Sequence, residues 1–148
     1  MVINQPKKKI LVVCAANYCR SPVAAELLKA KYADQYEISS AGTIQFDRAG
    51  MDGRSLKYLK KILKKIDFHQ PRKISKKMIV DSDLVYAIDF KILMDLNRIY
   101  PDLKDKFQLF KIEEKNLIIA DPFNMNEEDY EDIMVKINEI SSNIKINI

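Results

Sequence analysis

The sequence predicts an α/β fold, a single domain whose four-stranded, parallel, twisted sheet has helices on both faces. Two observations support this prediction. Short apolar runs alternate with helical patterns along the chain, an order that is typical of parallel sheets covered by helices. The chain has 148 residues, 47% of them hydrophobic, and no repeat or linker divides it, so one core is expected. We therefore expect one domain over residues 1–148.

The first half of the chain predicts two strands and two helices. Residues 10–13 are apolar and rich in β-branched side chains, as in a buried parallel strand. Pro22 suits the first turn of a helix, and the alanines and leucines that follow it favour helix. Residues 36–39 form the second strand. Over residues 55–66, apolar residues recur at helical spacing and lysines occupy the opposite face, which predicts an amphipathic helix.

The second half predicts two further strands and three helices. A short helix begins near Ser75, and a strand over residues 84–88 leads to a helix over residues 91–98. A weak strand follows at residues 107–110. The last helix spans residues 127–144, because apolar side chains recur there at helical spacing. These side chains are Tyr130, Ile133, Met134, Ile137 and Ile140.

Composition and charge exclude several classes of function. The 25 basic and 21 acidic residues give a net charge of +4, too small an excess to predict a nucleic acid partner. No run approaches the roughly eighteen apolar residues of a membrane helix, and no signal peptide is apparent. The 2 cysteines do not form the disulfide framework of a secreted protein. We therefore expect a cytoplasmic protein that binds neither nucleic acid nor membrane.

The loop after the first strand carries a thiol, an arginine and a hydroxyl close together. Its residues run in the order Cys14, Ala15, Ala16, Asn17, Tyr18, Cys19, Arg20, Ser21 and Pro22. Consecutive backbone N–H groups in a loop at the start of a helix form an anion-binding site. The same field favours the ionised form of a cysteine thiol, and a planar guanidinium matches two phosphate oxygens. The sequence therefore predicts a phosphate-binding loop with a nucleophilic cysteine.

This loop and four later segments resemble the low-molecular-weight protein tyrosine phosphatases. The later segments are Ser40-Ala41-Gly42-Thr43, residues 69–72, Asp89 and Asp121-Pro122. The likeness follows the order of the chain from Ile10 to about Tyr130. It implies hydrolysis of protein phosphotyrosine, an aryl phosphate monoester, through a phosphocysteine intermediate, with no metal and no cofactor.

The resemblance also implies the role of each residue. Cys14 is the nucleophile, Arg20 binds the phosphate and the transition state, and Asp121 is the general acid and base. Such acid–base assistance typically supplies about 10²–10⁴-fold in rate. Ser21 donates a hydrogen bond to the thiolate. The residues between Cys14 and Arg20 cradle the phosphate with their backbone.

Other matching residues are expected to support the loop or surround the substrate. Asn17, Ser40 and His69 are expected to hydrogen-bond one another and to hold the loop in shape. Asparagine suits this place because it tolerates a left-handed backbone. Arg72 and Asp89 are expected to be supports as well.

Two further features concern the pocket's redox chemistry and its rim. By the resemblance, Cys19 closes a reversible disulfide with Cys14 under oxidation and so protects the nucleophile. The rim is formed by Tyr18, Phe46 and Phe123, whose rings could sandwich a phenyl phosphate.

The chain departs from the family pattern at two loop positions. Ala16 stands where the family usually has glycine, and a methyl group there is harmless only if the backbone is in an ordinary conformation. Tyr18 stands where tyrosine phosphatases commonly have isoleucine and phosphoarginine phosphatases have threonine. The alternatives are a phosphoarginine phosphatase, an arsenate reductase of the same fold, and a catalytically silent phosphate-binding module. The reductase needs further cysteines after Cys19, and the chain has none. We expect a monomer or weak dimer that acts on a phosphotyrosine-containing protein.

Overall fold

The computed structural model describes residues 5–113 and 115–148. Its strands are β1 (Lys8–Cys14), β2 (Tyr36–Gly42), β3 (Leu84–Ala87) and β4 (Phe107–Leu109). Its α-helices are α1 (Ser21–Tyr32), α2 (Gly53–Ile62), α3 (Lys76–Asp81), α4 (Phe90–Ile99) and α5 (Glu127–Asn143). A 3₁₀-helix at Pro101–Lys106 precedes β4.

The four strands form one parallel sheet in the order β2-β1-β3-β4. In the register, Ile10 of β1 lies between Ile38 of β2 and Leu84 of β3. Because β1 is central, both of its faces are covered, and its side chains from Ile10 to Cys14 are all buried. The predicted four-stranded parallel α/β fold is confirmed.

The helices form two layers. α5 packs against α1 and α2, and α1 also packs on β2, whereas α4 packs on β3, β4 and the 3₁₀-helix. The predicted apolar stripe of the last helix is confirmed, because all of its members are buried. They are Tyr130, Ile133, Met134, Ile137 and Ile140.

The lysine-rich helix differs from its prediction at both ends. It begins two residues earlier, at Gly53, because the Asp52 side chain accepts a hydrogen bond from the Arg54 N–H and caps the helix. It ends at Ile62, because Leu63 adopts an extended backbone. Apolar periodicity therefore continued past the point where the helix stops.

The sheet topology places a ligand site at the carboxyl ends of β1 and β3. The chain leaves β1 toward β2 on one side, and it leaves β3 toward β4 on the other. Such a switch in direction opens a crevice beyond the carboxyl ends of two adjacent strands. Cys14 ends β1, and Asp89 follows β3, so both lie at this crevice.

Candidate active site

The loop at residues 15–20 joins β1 to α1 and is docked against the end of β2. The Thr43 and Ile44 N–H groups donate to the carbonyls of Cys14 and Ala15, each at 3.0 Å. Gly42 makes the closest approach, since a Cβ atom placed there would lie 2.5 Å from the Ala15 carbonyl oxygen. A glycine is therefore required at position 42 by the backbone of the loop.

Cys14 is buried with its sulfur beside the hydroxyl of Ser21. The Cys14 Sγ and Ser21 Oγ atoms are 3.0 Å apart, and Asn17 Nδ2 lies 2.8 Å from the same Ser21 oxygen. An amide nitrogen only donates, so the Ser21 oxygen accepts from Asn17 and its own hydrogen can point at the sulfur. The arrangement is suited to stabilising a thiolate at Cys14.

Asn17 is the centre of a hydrogen-bond network that holds the loop. It is fully buried and has a positive φ of 56°. Its Nδ2 also donates to Ser40 Oγ at 2.9 Å, and its Oδ1 accepts from the Arg72 N–H at 3.1 Å. Its carbonyl lies 2.7 Å from His69 Nε2. The structure thus brings together the residues that the sequence grouped as loop supports.

His69 is a hydrogen-bond donor in this network. A carbonyl oxygen can only accept, so the His69 Nε2–H is the donor to the Asn17 carbonyl. Burial lowers the pKa of His69 below its ordinary value, because a cationic ring loses solvation there. This is the geometry of a support and not of a proton shuttle.

Ala16 has an ordinary backbone conformation. Among the described residues other than glycine, only Asn17 has a positive φ. The methyl group that replaces the usual glycine is therefore accommodated without left-handed strain.

Arg20 is buried at the start of α1 and is held from one side. Its Nη1 donates to Asp89 Oδ2 at 2.6 Å and to the Ile119 carbonyl at 2.8 Å. Asp89 also caps α4. Within residues 5–113 and 115–148, both side-chain hydrogen bonds of Arg20 use Nη1. Its Nε and Nη2 can therefore donate to an oxyanion.

Asp121 lies on the loop that precedes α5 and faces the phosphate loop across a cavity. Its side chain is exposed, and its Oδ1 accepts from the Phe123 N–H at 3.1 Å. The cavity brings most of the predicted site residues together. It is lined by Cys14, Ala15, Ala16, Tyr18, Cys19, Arg20, Ile44, Phe46, Asp121, Phe123 and Asn124.

Three aromatic rings form one rim of this cavity. The ring centroids of Tyr18 and Phe46 are 4.8 Å apart, and Phe123 lies 6.3 Å from Tyr18 and 6.2 Å from Phe46. Sequence reasoning missed Arg48, whose guanidinium carbon lies 5.5–5.8 Å from all three centroids. Such distances are typical of cation–π contacts.

Cys19 lines the cavity, and its thiol lies beside Asp52, the residue that caps α2. Cys14 and Cys19 are both free and buried. Cys19 Sγ lies 3.9 Å from Asp52 Oδ2, and burial raises the pKa of its thiol to about 12. The disulfide expected with Cys14 stays a prediction.

Sequence reasoning also missed Asp52 and Arg54, which lie beside Cys19. Arg54 binds the Asp52 carboxylate and two carbonyls of the Asp121 loop. The sequence did contain a signal for Asp52, since an aspartate just before a helical pattern is a typical N-cap. No local pattern could have shown that Arg54 reaches residues more than sixty positions away.

The described part of the chain contains neither a metal-binding cluster of side chains nor a helix that could span a membrane. Residues 5–113 and 115–148 hold no group of three or more His, Cys, Asp or Glu side chains placed to bind a metal. In the same ranges, no helix is long and apolar enough to cross a membrane.

The site and the fold match one family of known proteins. The family model described as low molecular weight phosphotyrosine protein phosphatase matches residues 9–146. The chain belongs to the low molecular weight phosphotyrosine protein phosphatase family. The resemblance drawn from the sequence is thereby confirmed, and relatives of this name are hydrolases.

Individual relatives show the same similarity. The chain is 31% identical over 135 residues to the low molecular weight phosphotyrosine protein phosphatase of Mus musculus, covering 84% of this chain and 85% of the relative. It is similar to the solved tyrosine phosphatase AmsI of Erwinia amylovora, with 26% identity and a TM-score of 0.83 over 96% and 93% of the two chains. The solved YwlE arginine phosphatase of Geobacillus stearothermophilus has 28% identity and a TM-score of 0.81 over 91% and 88%.

Proposed function

We propose that this protein hydrolyses phosphotyrosine in proteins by way of a phosphocysteine intermediate. One observation carries the proposal: Cys14, Arg20 and Asp121, which come from three different parts of the chain, line a single cavity. A nucleophile, an anion binder and a proton donor around one space are the components that a phosphate monoester hydrolase needs.

In the first step, the Cys14 thiolate attacks phosphorus and a sulfur–phosphorus bond forms. The bond from phosphorus to the phenolic oxygen breaks, and Asp121 gives its proton to that oxygen as tyrosine departs. Arg20 and the loop N–H groups bind the phosphate oxygens, where charge must be stabilised in the transition state. The fixed contacts of Arg20 with Asp89 and Ile119 orient its guanidinium before the substrate arrives.

In the second step, water attacks phosphorus and the sulfur–phosphorus bond breaks. Asp121, now ionised, takes a proton from that water, and inorganic phosphate leaves. The hydrogen bond from Ser21 to Cys14 Sγ stabilises the departing thiolate. Apart from the substrate and the attacking water, every group that acts in these two steps belongs to the chain, and no metal or cofactor is required.

The rim favours an aryl phosphate over the alternatives. The rings of Tyr18, Phe46 and Phe123 offer stacking and edge contacts to a phenyl group. A phosphoarginine side chain would bring a guanidinium group toward Arg48, which carries the same charge. This chain lacks the further cysteines that an arsenate reductase needs, since its sequence has 2 in total. A catalytically silent binding module would not need the hydrogen bond between Cys14 and Ser21 or an aspartate at the cavity.

The setting of this activity is part of the proposal. We expect one domain over residues 1–148 that acts in the cytoplasm on a phosphotyrosine-containing protein, as a monomer or weak dimer, without nucleic acid or membrane partners. Free thiols suit a reducing compartment. Under oxidation, Cys19 is expected to form a disulfide with Cys14. The raised pKa of the Cys19 thiol would make that reaction slow, because the thiolate is the attacking form.

The test compares phosphate release from three matched peptides that differ only in carrying phosphotyrosine, phosphoserine or phosphoarginine. We expect the phosphotyrosine peptide to be cleaved fastest. Cys14→Ser serves as the control, because an unactivated hydroxyl is a poor nucleophile, and it should reduce turnover to background. Faster cleavage of the phosphoarginine peptide, or full activity of Cys14→Ser, would overturn the proposal.

A further inference from the structure

Arg54 connects α2 to the acid loop, defined here as residues 121–126. Its Nη2 donates to the Phe123 carbonyl at 3.0 Å, and its Nη1 donates to the Met125 carbonyl at 2.9 Å. These carbonyls belong to the residues two and four positions after Asp121. A single side chain thus holds the backbone of the acid loop at two points.

The same guanidinium is fixed relative to the phosphate loop. Its Nε and Nη2 donate to the two oxygens of Asp52, at 3.0 and 2.9 Å, which is the strong bidentate geometry. Asp52 is buried, and its N–H donates to the Tyr18 carbonyl at 3.0 Å. Arg54 therefore ties the acid loop to the loop that holds the phosphate.

The ion pair is charged and well packed. Burial alone would raise the pKa of Asp52, but hydrogen bonds from Arg54 lower it below its ordinary value. The Arg54 guanidinium carbon lies 4.0 Å from the ring centroid of Tyr130. Since Tyr130 is a buried residue of α5, the arginine is held from a third direction.

The Asp121 side chain makes few contacts within the described residues. Its side chain is exposed, and within the described residues its hydrogen-bond partner is the Phe123 N–H of its own loop. The position of its carboxyl group therefore depends on the path of the acid loop.

The geometry points to Arg54 as a positioning residue for the general acid. Held by Asp52 against the phosphate loop, it fixes the acid loop and sets the distance from Asp121 to the leaving oxygen. This inference rests on the proposed function, in which Asp121 is the acid. Proton transfer needs about 2.6–3.2 Å between heavy atoms, and a misplacement of about 1 Å can cost about 10²-fold.

The test uses two aryl esters that differ in their need for a proton. Phenyl phosphate releases a basic phenolate that must be protonated, whereas 2,4-dinitrophenyl phosphate releases an anion that is stable without a proton. For Arg54→Met we expect kcat/KM to fall about 10- to 100-fold on phenyl phosphate and to change little on the dinitrophenyl ester. Arg54→Lys should show the same selectivity with a smaller loss, because one ammonium group cannot replace the fixed fork of the guanidinium.

Two further variants separate positioning from general damage. Lys57→Met is the matched control, since Lys57 is exposed on the same helix as Arg54, and both residues line a cleft between α2 and α5. This variant should leave both rates unchanged. In an Asp121→Asn background, Arg54→Met should cause no additional loss on phenyl phosphate, because residues that act through one another are not additive.

The outcomes distinguish this inference from the proposed function. Equal losses on both esters, or a further loss in the Asp121→Asn background, would overturn the positioning role while the hydrolase remained active. Failure of the unaltered protein to hydrolyse the dinitrophenyl ester would instead overturn the proposed function. If Arg54→Met does not fold, the selectivity of Arg54→Lys still decides the question.

Discussion

The two loops that meet over the cavity are held in different ways. The phosphate loop surrounds a buried side chain, Asn17, whose amide and carbonyl are bound from three other segments. The acid loop is exposed at Asp121 and is attached at its backbone by Arg54. The difference follows from their tasks. A loop that binds a phosphate must keep its N–H groups fixed, whereas a proton donor must approach a substrate that arrives and leaves.

The comparison predicts that damage to the acid loop lowers the rate of chemistry and leaves phosphate binding intact. Asp121→Asn should lower kcat/KM on phenyl phosphate about 10²–10⁴-fold, because an amide cannot donate the proton that the leaving oxygen needs. Inhibition by inorganic phosphate should not change. Both quantities can be measured by steady-state kinetics.

The control is Asp129→Asn, an exposed carboxylate on the first turn of α5, which should behave as the unaltered protein. An unchanged rate in Asp121→Asn would move the acid role elsewhere, with Asp89 the next candidate. Loss of phosphate inhibition in that variant would contradict the separation between the two loops.

Damage to the phosphate loop should instead weaken binding and stability together. In Gly42→Ala the new methyl group would meet backbone atoms of Ala15, Ala16 and Asn17 at 2.5–2.9 Å, so the loop must shift. We expect a free energy of unfolding lower by about 1–3 kcal/mol and weaker inhibition by inorganic phosphate. Urea unfolding and inhibition kinetics measure the two effects.

Gly53→Ala is the matched control, because a Cβ atom at Gly53 meets nothing within 4 Å. It should be at least as stable as the unaltered protein and should keep the same phosphate inhibition. Normal phosphate inhibition in Gly42→Ala would show that the close approach to the loop does not set its shape.

The smallest expected effect is a pH dependence of the free energy of unfolding that is caused by protonation of His69. Burial lowers the pKa of folded His69, so at neutral pH its contribution to stability is fully present. As the pH falls below the unfolded value of about 6.5, the unfolded chain takes up a proton first. Stability is then lost until the pH passes the lowered folded value.

Urea unfolding at pH 7.5 and 5.5 measures this loss. His69→Gln has no titrating ring and should lose less stability over that interval than the unaltered protein. The carboxylates contribute equally to both proteins, so the difference between the two losses isolates His69. Identical losses would show that His69 does not resist protonation in the fold.

The order of elements and the residues of the phosphate loop could be predicted from local pattern. β1, α1 and α5 follow from apolar runs and spacing, since hydrophobic periodicity reflects which face is buried. The end of α2 could not be predicted, because the apolar pattern continues through Ile66 while the backbone at Leu63 becomes extended. The contacts of Leu63 and Ile66 with the core preserve the pattern without a helix.

The sequence by itself determined the chemistry available to this protein: a thiol, an arginine and a hydroxyl on one loop after a buried strand, and an aspartate before the last helix. Only the tertiary structure decided how these groups meet. The bridge from Asp52 through Arg54 to the acid loop joins residues far apart in the chain. Contacts of this kind leave no local periodicity, because hydrogen bonds between distant loops depend on how the sheet and helices place their ends.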